Sequence, residues 1–239
     1  MKKYLGQHFL KNKKILKEIA AAAELSKKDV VLEVGPGHGE LTEFLAQVAG
    51  KVIAVEKDRE LIPFLEEKFK NIKNVKIIQG DILKIRNLGV KNYKIVANIP
   101  YYITSHFLRT FLEAKNKPKL MVLMVQYEVA KRILAKPPEM NLLALSVQAY
   151  ARAKFIRKVL RGNFVPAPKV DSAIVKIMIK HRVSNNEEKI LKLAKLAFQQ
   201  KRKMLRHSLK NYKLPKKFLQ KRPQELSLGD WKKIFSNIY

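Results

Sequence analysis

The sequence predicts an α/β protein in which a parallel sheet with interleaved helices is followed by a small helical domain. Three observations carry this. Short β-rich runs alternate with helix-compatible stretches through the front of the chain. The first of these runs opens into a glycine turn and a helix start. After His181 the β signal stops, and apolar residues at helical spacing take over in a much more basic segment.

The runs Val30 to Val34, Val52 to Glu56, Val75 to Gln79, Lys94 to Ala97 and Leu120 to Val125 each precede a helix-compatible stretch, an order that implies a parallel sheet. Two later β-rich runs, Lys154 to Leu160 and Ser172 to Ile179, flank a Pro/Gly-bearing loop from Arg161 to Lys169, so an antiparallel addition at the sheet edge is expected. Ser184-Asn185-Asn186 followed by Glu187 and Glu188 reads as a linker and a helix start. Beyond it Ile190, Leu193, Ala197, Met204, Leu205 and Leu209 keep helical spacing. The domains are therefore expected at 1–182 and 183–239.

Composition narrows the function. Of 239 residues, 47% are hydrophobic, enough for a sizeable core. Fifty Lys and Arg against 20 Asp and Glu leave a formal charge of +30, a self-repulsion that points to a polyanionic partner, with nucleic acid first. The charge is uneven: residues 176–239 hold 18 basic and 4 acidic side chains, against 32 and 16 in residues 1–175. With no cysteine, disulfides, Cys-ligated zinc, iron–sulfur clusters and thiol catalysis are excluded, and a reducing compartment fits. The longest apolar stretches are far shorter than the ~20 residues of a membrane span, and the first residues lack the apolar core of a signal peptide. A cytoplasmic, monomeric protein, mature from residue 1 and without a membrane partner, is expected.

Residues 30–42 form a strand, a glycine turn and a helix start, an arrangement that lets backbone approach a ligand closely. The glycines are Gly35, Gly37 and Gly39; where a dinucleotide fingerprint wants its third glycine stands Glu40, which would repel a pyrophosphate. A phosphate-cradling Gly-Lys-Ser/Thr loop is also missing. Glu56 ends the second strand 21 residues after Gly35, where a carboxylate can accept from both hydroxyls of a ribose. Asp81 ends the third strand, where an acceptor suits an adenine amino group, and Ile82 can pack on the ring. Singly, each acid is as readily an exposed or capping residue. Together they place three ligand-facing features at the ends of successive strands, which points to an adenosine-containing cofactor without pyrophosphate: S-adenosylmethionine.

The fourth strand ends in Asn98-Ile99-Pro100-Tyr101. Pro100 has no N–H and holds its neighbour extended, so the segment can present the Asn98 amide oxygen and a backbone carbonyl as a pair of acceptors. Such a pair suits adenine N6, whose lone pair is delocalised into the ring: acceptors on its hydrogens favour a pyramidal nitrogen and stabilise the charge that develops as it attacks a sulfonium methyl. Tyr101 and Phe164, the latter in the proline-stiffened loop 162–168, are candidate stacking faces. The five histidines show no ligand spacing, so no metal is expected.

These residues resemble the ribosomal-RNA adenine N6-dimethyltransferases. The likeness covers nearly the whole chain and is carried by Gly6-Gln7-His8-Phe9-Leu10, Glu33-Val34-Gly35-Pro36-Gly37-His38-Gly39, Glu56, Gly80-Asp81, Asn98-Ile99-Pro100-Tyr101, the run from Asn163 to Ala173, and the run from Phe198 to Arg206. The resemblance implies a Rossmann-like, S-adenosylmethionine-dependent methyltransferase domain followed by a helical one. It further implies that Gln7, His8, Leu10, Gly35, Gly37, Glu56, Asp81, Ile82 and Asn98 contact the cofactor. Tyr101 and Phe164 would hold the flipped adenine, so that Asn98, Pro100, Tyr101 and Phe164 are the expected catalytic residues. The Gly-Gln-His-Phe-Leu start, the Val-Asp-Ser-Ala run and the Gln-Lys-Arg-Lys-Met-Leu-Arg stretch resemble the branch that dimethylates two adjacent adenines in a hairpin near the 3′ end of 16S rRNA. The macrolide-resistance branch, acting on large-subunit rRNA, is the alternative, and a non-catalytic RNA-binding assembly factor on the same fold is another.

In the tail, on a helix running through Leu209, Lys192, Lys195, Arg202, Arg206 and Lys210 recur at helical spacing. With acids nearly absent there, this basic stripe is expected to contact RNA phosphates rather than to be only a solvated face.

Overall fold

A computed structural model describes residues 8–85, 89–180, 183 and 186–238. In chain order its elements are β1 (Phe9–Leu10), α1 (Lys13–Ala22), β2 (Val30–Val34), α2 (Glu40–Val48), β3 (Lys51–Glu56), α3 (Ile62–Phe69), β4 (Val75–Gln79), β5 (Tyr93–Asn98), α4 (Thr104–Glu113), β6 (Leu120–Gln126), α5 (Tyr127–Leu134), α6 (Leu142–Tyr150), β7 (Ala151–Val159), β8 (Phe164–Val165), β9 (Ser172–Ile179), α7 (Glu187–Phe198), α8 (Leu205–Ser208) and α9 (Leu228–Ile238).

Seven strands form one sheet in the order β4-β3-β2-β5-β6-β9-β7, and β1 pairs with β8 in a separate two-stranded ribbon. The β2–β3, β3–β4, β2–β5 and β5–β6 pairs are parallel. β9 runs antiparallel to β6, from Leu120 against Met178 to Gln126 against Ser172, so the antiparallel addition expected from the late β-rich runs is present. Apolar continuity follows position: Leu120 to Val125 of β6 are buried, as a strand covered on both faces requires. The expected alternation fails once, after β4. There Asp81 Oδ1 accepts the Leu83 N–H at 3.1 Å and its carbonyl accepts the Lys84 N–H at 2.8 Å, and the described chain turns instead of entering a helix.

The chain divides into two compact units, Met1–Ala130 with Lys154–Ile179, and Lys131–Ala153 with Lys180–Tyr239. The boundary drawn at 182/183 therefore needs revision, because residues 131–153 cluster with the C-terminal segment. The reason is α6: its sequence Leu-Leu-Ala-Leu-Ser-Val-Gln-Ala-Tyr is apolar on several sides and needs more than one covering element, and within its unit it packs on α7 and α9. Charge and local periodicity cannot show that an earlier segment joins a later core.

The tail helix is also shorter than its apolar spacing suggests. α7 ends at Phe198, a turned segment follows, and Met204 is extended (φ −66°, ψ 154°) before the four-residue α8. Between Phe198 and Met204 every residue is polar or charged, so continuing the helix would bury nothing. The freed N–H groups of Leu205 and Arg206 find the carbonyls of Lys221 (2.8 Å) and Leu219 (3.1 Å) instead.

Candidate active site

In the first unit the strand order reverses at β2, which has β3 on one side and β5 on the other. Open α/β sheets bind ligands in the crevice at that reversal, beyond the carboxyl ends of the strands. A cleft of about 1160 Å³, its open mouth included, lies there. Of the residues singled out from sequence it is lined by His8, Leu10, Gly35, Gly37, Glu56, Asp81, Ile82, Asn98 and Pro100. Gln7 lies outside the described residues, as does the side chain of Tyr101, whose backbone begins the 3₁₀ turn Tyr101–Ile103.

The glycine turn is built around positive φ, 68° at Gly35 and 61° at Gly37, which L side chains rarely adopt. The Gly35 N–H donates to the Val55 carbonyl at 3.0 Å, binding the turn to β3. At Gly37 a Cβ would meet the Phe9 ring at 2.8 Å, so this glycine also lets the N-terminal ribbon lie close. The Glu56 carboxylate, only 5% exposed, accepts from Gly37 N–H at 3.2 Å and from Asp58 N–H at 2.9 Å. Burial raises its pKa and those backbone donors partly oppose the rise. One carboxylate thus joins the glycine turn to the end of β3. Asp81 is more open: burial pushes its carboxyl up, but the Lys57 ammonium at 3.0 Å and the Leu83 N–H bring it below its ordinary value.

At the end of β5, the Asn98 Nδ2–H donates to the His8 carbonyl at 3.3 Å. Its Oδ1 carries no hydrogen bond among the described residues. The Pro100 carbonyl accepts the Ile103 N–H at 3.1 Å, leaving one lone pair. His8 is itself tethered, its Nδ1–H donating to the Pro166 carbonyl at 2.8 Å, and β1 zips onto β8 with Phe9 opposite Val165 and Leu10 opposite Phe164. The amide is therefore oriented by a strand far away in sequence.

Phe164 is not placed as a stacking face would be. Its ring is 2% exposed and packs in the core cluster that also holds Leu10, Ile15, Leu16 and Ile174, and it does not line the cleft. The pairing of β8 with β1 turns it and Leu10 to the same inner side. Aromatic surface at the cleft comes instead from Phe9 and from Tyr102, which is 63% exposed.

Two further residues were given no role from sequence. Glu33 lines the cleft yet is 1% exposed; burial pushes its carboxyl up to about 8, and its Oε2 has no hydrogen-bond partner among the described residues. The available signal was a lone acid inside the otherwise apolar strand Val-Val-Leu-Glu-Val. Lys57 was missed because its partner Asp81 lies 24 residues later, and no local pattern joins them.

In the second unit the basic residues of the tail do not form one helical stripe. Lys192 and Lys195 share a face of α7, Arg202 lies in the turn, Arg206 on α8 and Lys210 beyond it, all exposed. Lys192 is neutralised locally by Glu188 at 2.7 Å. Among the described residues no cluster of three or more His, Asp or Glu could hold a metal ion, and no helix is long and apolar enough to cross a membrane.

Comparison with known proteins adds the following. The sequence profile of the ribosomal RNA adenine dimethylases matches residues 1–232. The chain is 46% identical to the ribosomal RNA small subunit methyltransferase A of Dehalococcoides mccartyi (strain CBDB1), over 98% of this chain and 87% of that one. It is 37% identical to the protein of the same name from Clostridium botulinum (strain Okra / Type B1), over 99% and 94%. Among solved structures, a dimethyladenosine transferase from Plasmodium falciparum superposes with TM-score 0.85 at 28% identity, over 96% of this chain and 97% of that one. The 23S rRNA methyltransferase ErmE superposes with TM-score 0.83 at 27% identity, over 96% and 99%.

Proposed function

The chain belongs to the ribosomal RNA adenine dimethylase family, and from that premise we propose that its substrate is the small-subunit rRNA, where it dimethylates N6 of two adjacent adenosines in a hairpin near the 3′ end of 16S rRNA. It is a methyltransferase and its methyl donor is S-adenosylmethionine. The observation that carries the target-site reading is Asn98 on the wall of the cleft, its Oδ1 without a hydrogen bond among the described residues.

The cleft fits the cofactor. A Cβ on Gly35 would meet nothing closer than the Asn98 carbonyl at 3.9 Å, so a side chain there would take up the cleft's own space. Glu56, fixed by two backbone N–H groups, would accept from the ribose hydroxyls; Asp81, kept ionised by Lys57, would accept from the adenine amino group, with Ile82 against the ring. His8, Leu10, Gly35 and Gly37 would wall the cofactor's other end, joined by Gln7. When bound, the cofactor supplies an electrophilic methyl on a sulfonium.

The chain's own part is to prepare the nucleophile. Asn98 Oδ1 accepts one hydrogen of the target amino group, and the Pro100 carbonyl, through its remaining lone pair, is suited to accept the other. Both favour a pyramidal nitrogen and the positive charge that grows on it. A monomethylated nitrogen still has a hydrogen for Asn98 to hold, so the same group serves both transfers. Tyr101 is proposed to stack on the adenine, while Phe164 would act by packing the ribbon that holds His8. Lys195, Arg202, Arg206 and Lys210, with Lys192 once released from Glu188, would contact RNA phosphates. The enzyme would work as a monomer in the cytoplasm.

The test is mass spectrometry of rRNA from under-methylated small subunits after incubation with the protein and S-adenosylmethionine. Two dimethyladenosines at adjacent positions are expected. Monomethyladenosine as the sole end product would refute the acceptor model, and methylation confined to large-subunit rRNA would move the protein to the resistance branch.

A further inference from the structure

A second concavity lies on the same unit as the cleft, lined by Tyr127, Glu128, Arg161, Lys169, Val170 and Asp171. Backbone bonds hold its walls together: the Tyr127 N–H donates to the Asp171 carbonyl at 2.9 Å, and the Arg161 N–H to Asp171 Oδ1 at 3.0 Å. The other Asp171 oxygen takes Lys158 Nζ at 2.9 Å, so this acid is an internal strut. Lys158 Nζ also lies 5.0 Å from the centre of the Tyr127 ring, which meets Phe155 edge-on at 6.3 Å. Arg161 and Lys169 are exposed and have no ion pair among the described residues. Around them Leu160, Val165, Val170 and Phe155 are left 59%, 46%, 45% and 41% exposed.

Exposed cations beside aromatic and aliphatic surface are what a single nucleic-acid strand asks for: charge for the phosphate and a flat apolar face for the base. Position supports the same occupant. Met124 of β6 pairs with Asn98, and Tyr127 follows three residues later, roughly 10 Å further along at the rise of a strand. The loop that carries Arg161 and Lys169 is the one whose Pro166 carbonyl holds His8. We propose that this groove holds the single-stranded RNA flanking the target adenosine, with phosphate on Arg161 and Lys169 and a base against Tyr127. Glu128 on the rim disfavours phosphate beside it and directs the backbone toward the two cations. The inference rests on the RNA-adenine reading of the cleft and adds where the neighbouring strand runs.

The test measures binding of the full chain to a 12-nucleotide oligoadenylate and to an RNA duplex of equal length, by fluorescence anisotropy across salt concentrations. Replacing Arg161→Gln and Lys169→Gln together should weaken oligoadenylate binding and shallow its log K against log salt slope by about 1.4, two contacts at ~0.7 each. Duplex binding should change much less. Tyr127→Leu should lose roughly 5- to 150-fold on the single strand; Tyr127→Phe should keep most of the affinity. Unchanged S-adenosylmethionine binding by calorimetry reports an intact fold. An unchanged salt slope, equal losses on duplex and single strand, or no oligoadenylate binding by the unsubstituted protein would each overturn the groove. If small subunits were still dimethylated in that event, the groove alone would fall; loss of dimethylation by the unsubstituted protein would remove the cleft reading instead.

Discussion

The cleft and the C-terminal helices handle charge in opposite ways. In the cleft two acids are given fixed partners: the buried Glu56 is held by Gly37 and Asp58 N–H groups, and the more open Asp81 by Lys57. In the second unit Arg202, Arg206 and Lys210 are exposed on a turn, a one-turn helix and the segment after it, with no acid paired to them among the described residues. Buried, oriented acceptors recognise one small molecule by geometry. Exposed cations recognise a polyanion by charge, with little demand on shape. The first unit thus gathers acceptors of fixed geometry, and the second leaves cations at its surface.

The largest expected effect tests how the cleft is built. Phe164→Ala should cost about 3–5 kcal/mol of stability, the scale for truncating a buried phenylalanine, seen as a lowered melting temperature. Retained stability with lost methylation would restore a stacking role and break the distinction drawn here between packing and recognition. Asn98→Ala should lower turnover by about 10²- to 10³-fold at saturating cofactor while leaving RNA affinity nearly unchanged; near-normal turnover would remove Asn98 from the chemistry. Glu56→Gln turns an amide N–H toward one of two backbone donors and should weaken S-adenosylmethionine binding about 10- to 100-fold by calorimetry. Turnover at saturation should barely move, which separates the cofactor end from the target end.

On the other side of the comparison, replacing Arg202, Arg206 and Lys210 with Gln should shallow the salt dependence of rRNA binding by about 0.7 to 0.9 per lost phosphate contact, with cofactor affinity intact. An unchanged slope would show these cations to be only solvated. A separate effect, on the pH dependence of stability, concerns Glu33. Because its folded-state pKa is raised to about 8, the folded protein keeps a proton that the unfolded chain has lost above the ordinary glutamate range. Stability should therefore fall as pH rises from about 4.5 toward 8, with the slope of one proton, and Glu33→Gln should flatten that part of the curve in urea titrations. The same slope in both proteins would assign it to another group.

What the sequence determined by itself was local. The β-branched runs became β2 to β6, because each strand's burial is written in its own consecutive residues. Gly35 and Gly37 announced a turn needing positive φ, and Glu56, Asp81 and Asn98 stand at strand ends, so a parallel sheet had to gather them at one rim. Tertiary structure decided whatever depends on partners distant in the chain. Pairing of β1 with β8 drew Phe164 into the core and aimed Asn98 through His8. The tail helix breaks after Phe198, and the Leu205 and Arg206 N–H groups pair with the distant carbonyls of Lys221 and Leu219. The apolar sides of α6 moved residues 131–153 into the second unit. Burial of Glu33 arises because strands on both sides and helices above exclude water from it, and no spacing along the chain records how many neighbours a side chain will have.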